Sequence, residues 1–305
     1  MSERVVVIGD ALIDELRDEH GVREFVGGAA LNVAVGLTRL GVAATLIAMV
    51  GDDEAGAHIR AYLADYGVEL VASPSAHGSS RAVSTRSPSG EPVYEFNEAA
   101  QARSIIFGEA ERSAIANASI VAVSCFPFDD AAQTAHLADA IEGASAMLTI
   151  DPNPRSGMMS DRAEFVRGFE KLAAGAALVK VGEDDAELLY GQPLDALRAR
   201  LVDLGADAVL ATQGASGATI EAGDVVVTHP VSDLPGRVVD TMGAGDAAFA
   251  AAVAALLDGE PTTEDEWGQV LAKAMDVAAA TCRFEGALLR LPESLSDVDL
   301  DRIGT

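Results

Sequence analysis

Residues 239–257 constrain this chain more than any other stretch. They read Val-Asp-Thr-Met-Gly-Ala-Gly-Asp and run on into Ala-Ala-Phe-Ala-Ala-Ala-Val-Ala-Ala-Leu-Leu. Gly243 and Gly245 let the backbone turn tightly and leave no Cβ between its N–H groups and an approaching anion. In the run that follows, Phe249, Val253, Leu256 and Leu257 recur at i, i+4, i+7 and i+8. That spacing predicts a helix with one apolar face, closed by Gly259. A glycine turn feeding a helix start presents unpaired N–H groups and the positive end of the dipole, which is an anion site. Asp246 would repel a phosphate bound there. It suits a base that takes a proton from a hydroxyl while the N–H groups of Ala244, Gly245 and Asp246 hold charge developing on a phosphoryl group. On residue type alone, a helix cap explains Asp246 equally well.

The rest of the chain supplies a frame for such a turn. Residues 5–8 are a continuous apolar, β-branched run, which fits a buried strand. Residues 29–40 predict a helix closed by Gly41, residues 42–50 a strand, and residues 53–66 a helix closed by Gly67. Further strands are expected near 120–124, 147–150, 177–181, 208–212 and 224–228. Strand and helix alternating at this spacing predict an α/β fold with a mostly parallel sheet and right-handed crossovers. Two stretches break the alternation. Residues 12–16 and 22–26 flank the His20-Gly21 turn, and residues 80–87 and 92–97 flank Pro88-Ser89-Gly90, so both read as hairpins. Together, 12–26 and 79–98 predict a small β lid inserted into one body spanning 1–305.

Charge and cysteine usage exclude several classes. The formal net charge is −27, from 48 acidic and 21 basic residues, which argues against nucleic-acid or anionic-membrane partners. Cys125 and Cys282 lie far apart, so a disulfide framework is not expected and a reducing, cytoplasmic setting is. The first apolar run is too short for a signal peptide or a membrane span. No GxxxxGK[ST], HExxH or G-x-S-x-G occurs, which excludes a P-loop enzyme, that zinc-protease pattern and a nucleophile-elbow hydrolase.

Three more clusters sit at expected strand ends, where ligands of parallel sheets gather. Asp151-Pro-Asn153-Pro-Arg155 is a turn stiffened by prolines on both sides of Asn153. By pattern alone it reads first as a turn with a solvated charge pair. Lys180-Val-Gly182-Glu-Asp-Asp185 reads as an acidic helix start. Thr212-Gln-Gly214-Ala-Ser-Gly217 is a small glycine loop.

The run from Asp240 to Asp246 resembles the C-terminal signature of the ribokinase-like (PfkB) carbohydrate kinases. Gly27-Gly28-Ala-Ala-Leu-Asn32-Val-Ala34, ending at Leu40-Gly41, resembles their N-terminal signature. The resemblance covers essentially the whole chain. It implies a ribokinase-like α/β fold, with a mostly parallel central sheet flanked by helices. The small β lid would cover the sugar, and a homodimer would form through it. It implies Asp246 as catalytic base beside the turn of Gly243, Ala244 and Gly245. Asp14, Gly27, Gly28 and Asn32 would grip the sugar, the paired glycines acting as the lid hinge. Asp151, Asn153 and Arg155 resemble the D-x-N-x-R of the fructokinase and ketodeoxygluconate-kinase branches and would contact substrate or phosphate. Lys180 and Asp185 stand in a segment that influences magnesium and phosphate binding, although Gly182 replaces the usual Asn or Ser and Asp185 the usual Glu. Thr212, Gly214, Gly217 and Thr241 would meet the nucleotide, and Asp240 is the candidate for a K+ site found in some members. The implied cofactors are ATP and Mg2+. The implied reaction is phosphorylation of a primary hydroxyl of a small sugar, with a ketohexose first. A sugar-acid kinase, then a ribokinase or nucleoside kinase, are the alternatives. A non-catalytic sugar-binding regulator is the alternative of another class.

Overall fold

In the computed structural model, residues 4–18, 21–85 and 93–295 are described. Strand β1 (Arg4–Gly9) sits inside a nine-stranded sheet. To one side lie β4 (Ala43–Met49) and β5 (Glu69–Ser73). To the other lie β8 (Ile120–Ser124), β9 (Met147–Asp151), β10 (Leu178–Gly182) and β11 (Val209–Thr212), all parallel to β1. An antiparallel edge of β12 (Ala218–Ala222) and β13 (Val225–His229) closes that side. Val5, Val6, Val7 and Ile8 are fully buried, because helices cover both faces and no side of the strand meets water. This is why β1 reads as an unbroken apolar run.

One face carries α1 (Ala29–Arg39), α2 (Glu54–Asp65), α9 (Ala244–Leu256) and α10 (Glu264–Thr281) over one apolar cluster. The other carries α4 (Glu109–Ala116), α5 (Ala131–Ile141), α6 (Arg162–Ala173), α7 (Glu183–Tyr190) and α8 (Leu194–Leu204) over a second cluster. The strands at 69–73 and 218–222 were not expected from the sequence; each is only five residues long. Helix α9 corrects the sequence expectation of a single apolar face. Residues 246–254 are all buried, so the helix lies inside the layer between α1 and α10 rather than on the surface. Alanine makes this workable, because small side chains let flanking helices approach on every side.

A second, four-stranded sheet has the order β3-β2-β6-β7. Strands β2 (Leu12–Asp18) and β3 (Gly21–Gly27) form an antiparallel hairpin. Strand β6 (Ser80–Thr85) joins β2 in parallel, and β7 (Val93–Phe96) pairs antiparallel with β6. The turn expected at 88–90 lies outside the described residues. Two polar clasps fix this sheet at its base. Asp53 accepts the Ser79 N–H (2.8 Å) and hydroxyl (2.6 Å). Asn97 accepts the Arg81 N–H (2.9 Å), donates to Ser79 O (2.9 Å) and caps the one-turn helix α3 (Glu98–Gln101). Among the described residues no helix is long and apolar enough to cross a membrane.

Candidate active site

Strand order reverses at β1: the next parallel strand, β4, lies on one side and β8 on the other. Crevices form beyond the carboxyl ends of strands at such switch points. Gly9 permits a close approach here, since a Cβ on it would lie 1.8 Å from Ser124 O. Asp10 follows directly. It is 8% exposed, and its Oδ1 accepts the Ala30 N–H (3.0 Å) at the start of α1. Gly28, at φ +113, caps that start, and a Cβ there would come within 2.9 Å of Asp10 O. Sequence reasoning missed Asp10, although a carboxylate immediately after a buried strand was its signal. Two non-glycine residues at neighbouring strand ends, Cys125 (φ 49) and Asn153 (φ 38), adopt left-handed backbone. Such geometry costs free energy and concentrates at functional sites.

Asp246 lies in the first turn of α9, 8% exposed. Its carboxylate is held from two directions. Asn32 Nδ2, from the first turn of α1, donates to Oδ2 (2.9 Å), and Asn153 Nδ2 donates to Oδ1 (3.3 Å). Burial raises its pKa, while the Asn32 hydrogen bond and the charges of Lys180 and Arg155 oppose the rise. Gly243 precedes it in left-handed conformation (φ 74), and a Cβ there would lie 2.6 Å from Ala287 backbone atoms. Only glycine fits. The Ala244 N–H is turned to Thr241 O (3.3 Å) and the Ala247 N–H to Gly243 O (2.8 Å). The amides of Gly245 and Asp246 have no hydrogen-bond partner among the described residues, two rather than the three expected.

Lys180 stands over this turn. A Cβ on Gly245 would lie 3.1 Å from its Nζ. Lys180 Nζ is 3.1 Å from Asp151 Oδ2 and hydrogen-bonds Oδ1 (3.3 Å), both residues being almost fully buried. Burial pushes Asp151 up to about 7 against the pull of Lys180. Lys180 stays protonated, because Asp151, Asp185 and Asp246 outweigh its own desolvation. Arg155 is exposed at the mouth, with Asp246, Asp10 and Asp185 among the groups favouring its charge. Asp14, on β2, is pushed up to about 6 by burial first and then by Asp10 and Asp246, with Arg155 opposing. Gly27, opposite Leu12 in the hairpin, leaves the space that Asp14 uses, since a Cβ there would lie 2.2 Å from Asp14 Oδ2.

The structure therefore brings Asp14, Gly27, Gly28, Asn32, Asp151, Asn153, Arg155, Lys180 and Asp246 to one crevice. The remaining candidates lie around it. Asp185 is buried, and its Oδ2 accepts the Gly182 N–H (2.7 Å) while Oδ1 takes no hydrogen bond from the described residues. Thr212 points its hydroxyl at Val181 O (3.4 Å). Gly214 is exposed, and Gly217 is buried under His229 and Pro230, with its N–H directed to Gly214 O (3.3 Å). Gly217 thus shapes the loop instead of facing a ligand. Thr241 is exposed beside the turn. The Asp240 carboxylate accepts the Met242 and Gly286 N–H groups (3.0 Å each), tying the turn to the segment after α10. Among the described residues no three His, Cys, Asp or Glu side chains are grouped to hold a metal by themselves.

Comparison with known proteins agrees with this geometry. Residues 2–293 match the pattern of the pfkB family carbohydrate kinases. An ATP-dependent 6-phosphofructokinase of Thermoanaerobacterium thermosaccharolyticum is 26% identical over 302 residues, covering 95% of this chain and 91% of its own. A fructokinase of Rhizobium leguminosarum bv. trifolii is 30% identical over 267 residues, covering 83% and 79%. The crystal structure of a Vibrio cholerae fructokinase with fructose, ADP and calcium superposes with a TM-score of 0.79 at 23% identity, covering 94% of each chain. A glycine turn feeding a buried helix, with an aspartate held at its mouth, is thus set in a fold and a sequence pattern that agree, and the chain belongs to the pfkB family of carbohydrate kinases.

Proposed function

We propose that this carbohydrate kinase transfers the γ-phosphoryl group of ATP to a primary hydroxyl of a ketohexose, with fructose preferred. The observation that carries the reading is the Asp246 carboxylate, fixed by Asn32 and Asn153 beside the uncommitted Gly245 and Asp246 amides. Asp246 takes the hydroxyl proton as the sugar oxygen attacks, and the amides with Lys180 hold the charge on the phosphoryl oxygens. Burial raises its pKa, which makes it a stronger proton acceptor than a free carboxylate. Asp14 and Asp10 offer acceptors to sugar hydroxyls, and Arg155 reaches the phosphate from the mouth. The fructokinases among its relatives support the ketohexose. Thr212, Gly214 and Thr241 would face the nucleotide, with Gly217 shaping the loop beneath them.

A magnesium ion bound with the nucleotide would neutralise phosphate charge. The free Asp185 Oδ1 supplies a hard oxygen donor of the kind it takes, and the nucleotide phosphates and water would supply the rest. The second sheet acts as a lid excluding water from the reacting groups. On its edge strand β3, Val22 (61% exposed) and Phe25 (46%) are uncovered, which supports pairing of two lids in a homodimer. A reading without catalysis finds no support in the intact base and turn.

The test is Asp246→Asn, which keeps the shape and removes the base. We expect kcat lower by roughly 10²- to 10⁴-fold with ATP and sugar still bound. A variant retaining a tenth of wild-type turnover would sink the assignment. The substrate is decided separately by kcat/KM over fructose, fructose 6-phosphate, ketodeoxygluconate, ribose and adenosine. A higher value for any other than fructose would overturn the ketohexose reading and leave the kinase standing.

A further inference from the structure

A chain with 48 acidic and 21 basic residues should leave few arginines without a carboxylate. Over much of the surface this holds, as in Arg4–Glu69, Arg112–Asp139 and Arg200–Glu170, each at 2.6 Å. Arg39 and Arg290 depart from it. Neither guanidinium forms an ion pair or a side-chain hydrogen bond with a described residue, and the Nε of each is buried without a partner. The two come together from different elements. Arg39 ends α1, while Arg290 follows α10, with its backbone N–H on Thr281 Oγ1 (3.0 Å) and its Cζ 4.6 Å from the Phe284 ring centroid. Leu289 beside it packs on α1, where a Cβ at Gly36 would lie 3.0 Å from Leu289 Cδ1.

Tyr62 and Tyr66 complete the cluster, with ring centroids 4.9 Å apart at the end of α2. Burial and Tyr66 push Tyr62 up to about 12, against the opposing charges of Arg39 and Arg290. Burial and then Arg39 push the Arg290 pKa down, and only Tyr66 and Tyr62 oppose this. Leu289 seated at Gly36 sets Arg290 toward the Arg39 end of α1, so two like charges lie half-buried near one another and the tyrosine pair. Such an arrangement is costly for the protein alone and is relieved by an anion from solution.

We propose that Arg39, Arg290, Tyr62 and Tyr66 form a second anion site, built for a phosphate group and separate from the transfer site. Guanidinium forks bind phosphate oxygens bidentately, and the charge of two arginines matches a phosphate dianion. The site lies at the other end of α1 from Asn32, roughly 10 Å further along the helix at its usual rise per residue. Free phosphate and a phosphate monoester of a metabolite offer the same oxygens.

The experiment is thermal unfolding of the full chain at constant ionic strength while inorganic phosphate replaces chloride. A parallel series uses glycerol 3-phosphate. Wild type, Arg39→Gln, Arg290→Gln, Arg290→Lys and Gly245→Val are compared, the last obstructing the transfer site. We expect phosphate to raise the Tm of wild type and of Gly245→Val alike. The half-saturating concentration should be at least tenfold higher in both Gln variants and intermediate in Arg290→Lys, which keeps the charge and loses the fork. Tighter binding of the ester would assign a metabolite, and equal binding would assign free phosphate; either supports the site. Equal shifts in wild type and Gln variants, a shift lost only in Gly245→Val, or no shift in wild type would each overturn it. Should the Gln variants not fold, Arg290→Lys alone decides, because an unchanged half-saturating concentration there refutes the proposal.

Discussion

Replacing Asp14 by Asn should stabilise the protein at alkaline pH while impairing it as a kinase. In the folded state the Asp14 carboxyl is pushed from 3.8 up to about 6, first by burial and then by the Asp10 and Asp246 charges. A group whose folded pKa lies above its unfolded value binds its proton more tightly when folded. Its contribution is fully present below the unfolded pKa and is lost as pH rises through the folded one. A shift of about two units corresponds to roughly 3 kcal/mol lost by pH 8. Solvent reaches part of the side chain, so ~1–2 kcal/mol is the expected size. Asn does not titrate and escapes the loss. In urea titrations, Asn should exceed wild type by that amount at pH 8, and the advantage should shrink by about 1 kcal/mol at pH 5, where folded Asp14 is mostly protonated. With Asp14 in its proposed role as a sugar-hydroxyl acceptor, the same variant should also bind the sugar more weakly. A stability difference that stays constant from pH 5 to pH 8 would refute the reasoning, since burial of the carboxylate would then cost nothing.

Lys180→Met should destabilise the chain by about 3–5 kcal/mol, because it leaves Asp151 buried without its cation. Adding Asp151→Asn should recover most of the loss in chemical denaturation, and a single variant as stable as wild type would show that the pair carries no such role. Gly27→Ala should raise KM for sugar at least tenfold while leaving KM for ATP within twofold. A Cβ 2.2 Å from Asp14 Oδ2 must displace that carboxylate or the hairpin; unchanged sugar kinetics would place the sugar elsewhere.

The local signals in this sequence are strong because they are short-range. Gly243 adopts left-handed backbone, which glycine favours, so it marks the turn without any knowledge of the fold. Continuous apolar runs at β1 and β8 follow from helices covering both faces of the sheet. The hairpin at 12–26 was legible from its turn and its flanking runs. What stayed hidden depended on neighbours far along the chain. Helix α9 could not be read as buried all round, because only the packing of α1 and α10 on its two flanks removes its surface from water. Asp10 looked like the end of a strand until the reversal of strand order at β1 placed it in the crevice. The Asp246 carboxylate acquires its fixed position from Asn32 and Asn153, which are 214 and 93 residues away. Sequence alone therefore determined which residues could turn, bind an anion or accept a proton. Tertiary structure decided which of those charges share one low-dielectric crevice, because only burial together shifts their pKa values and couples them.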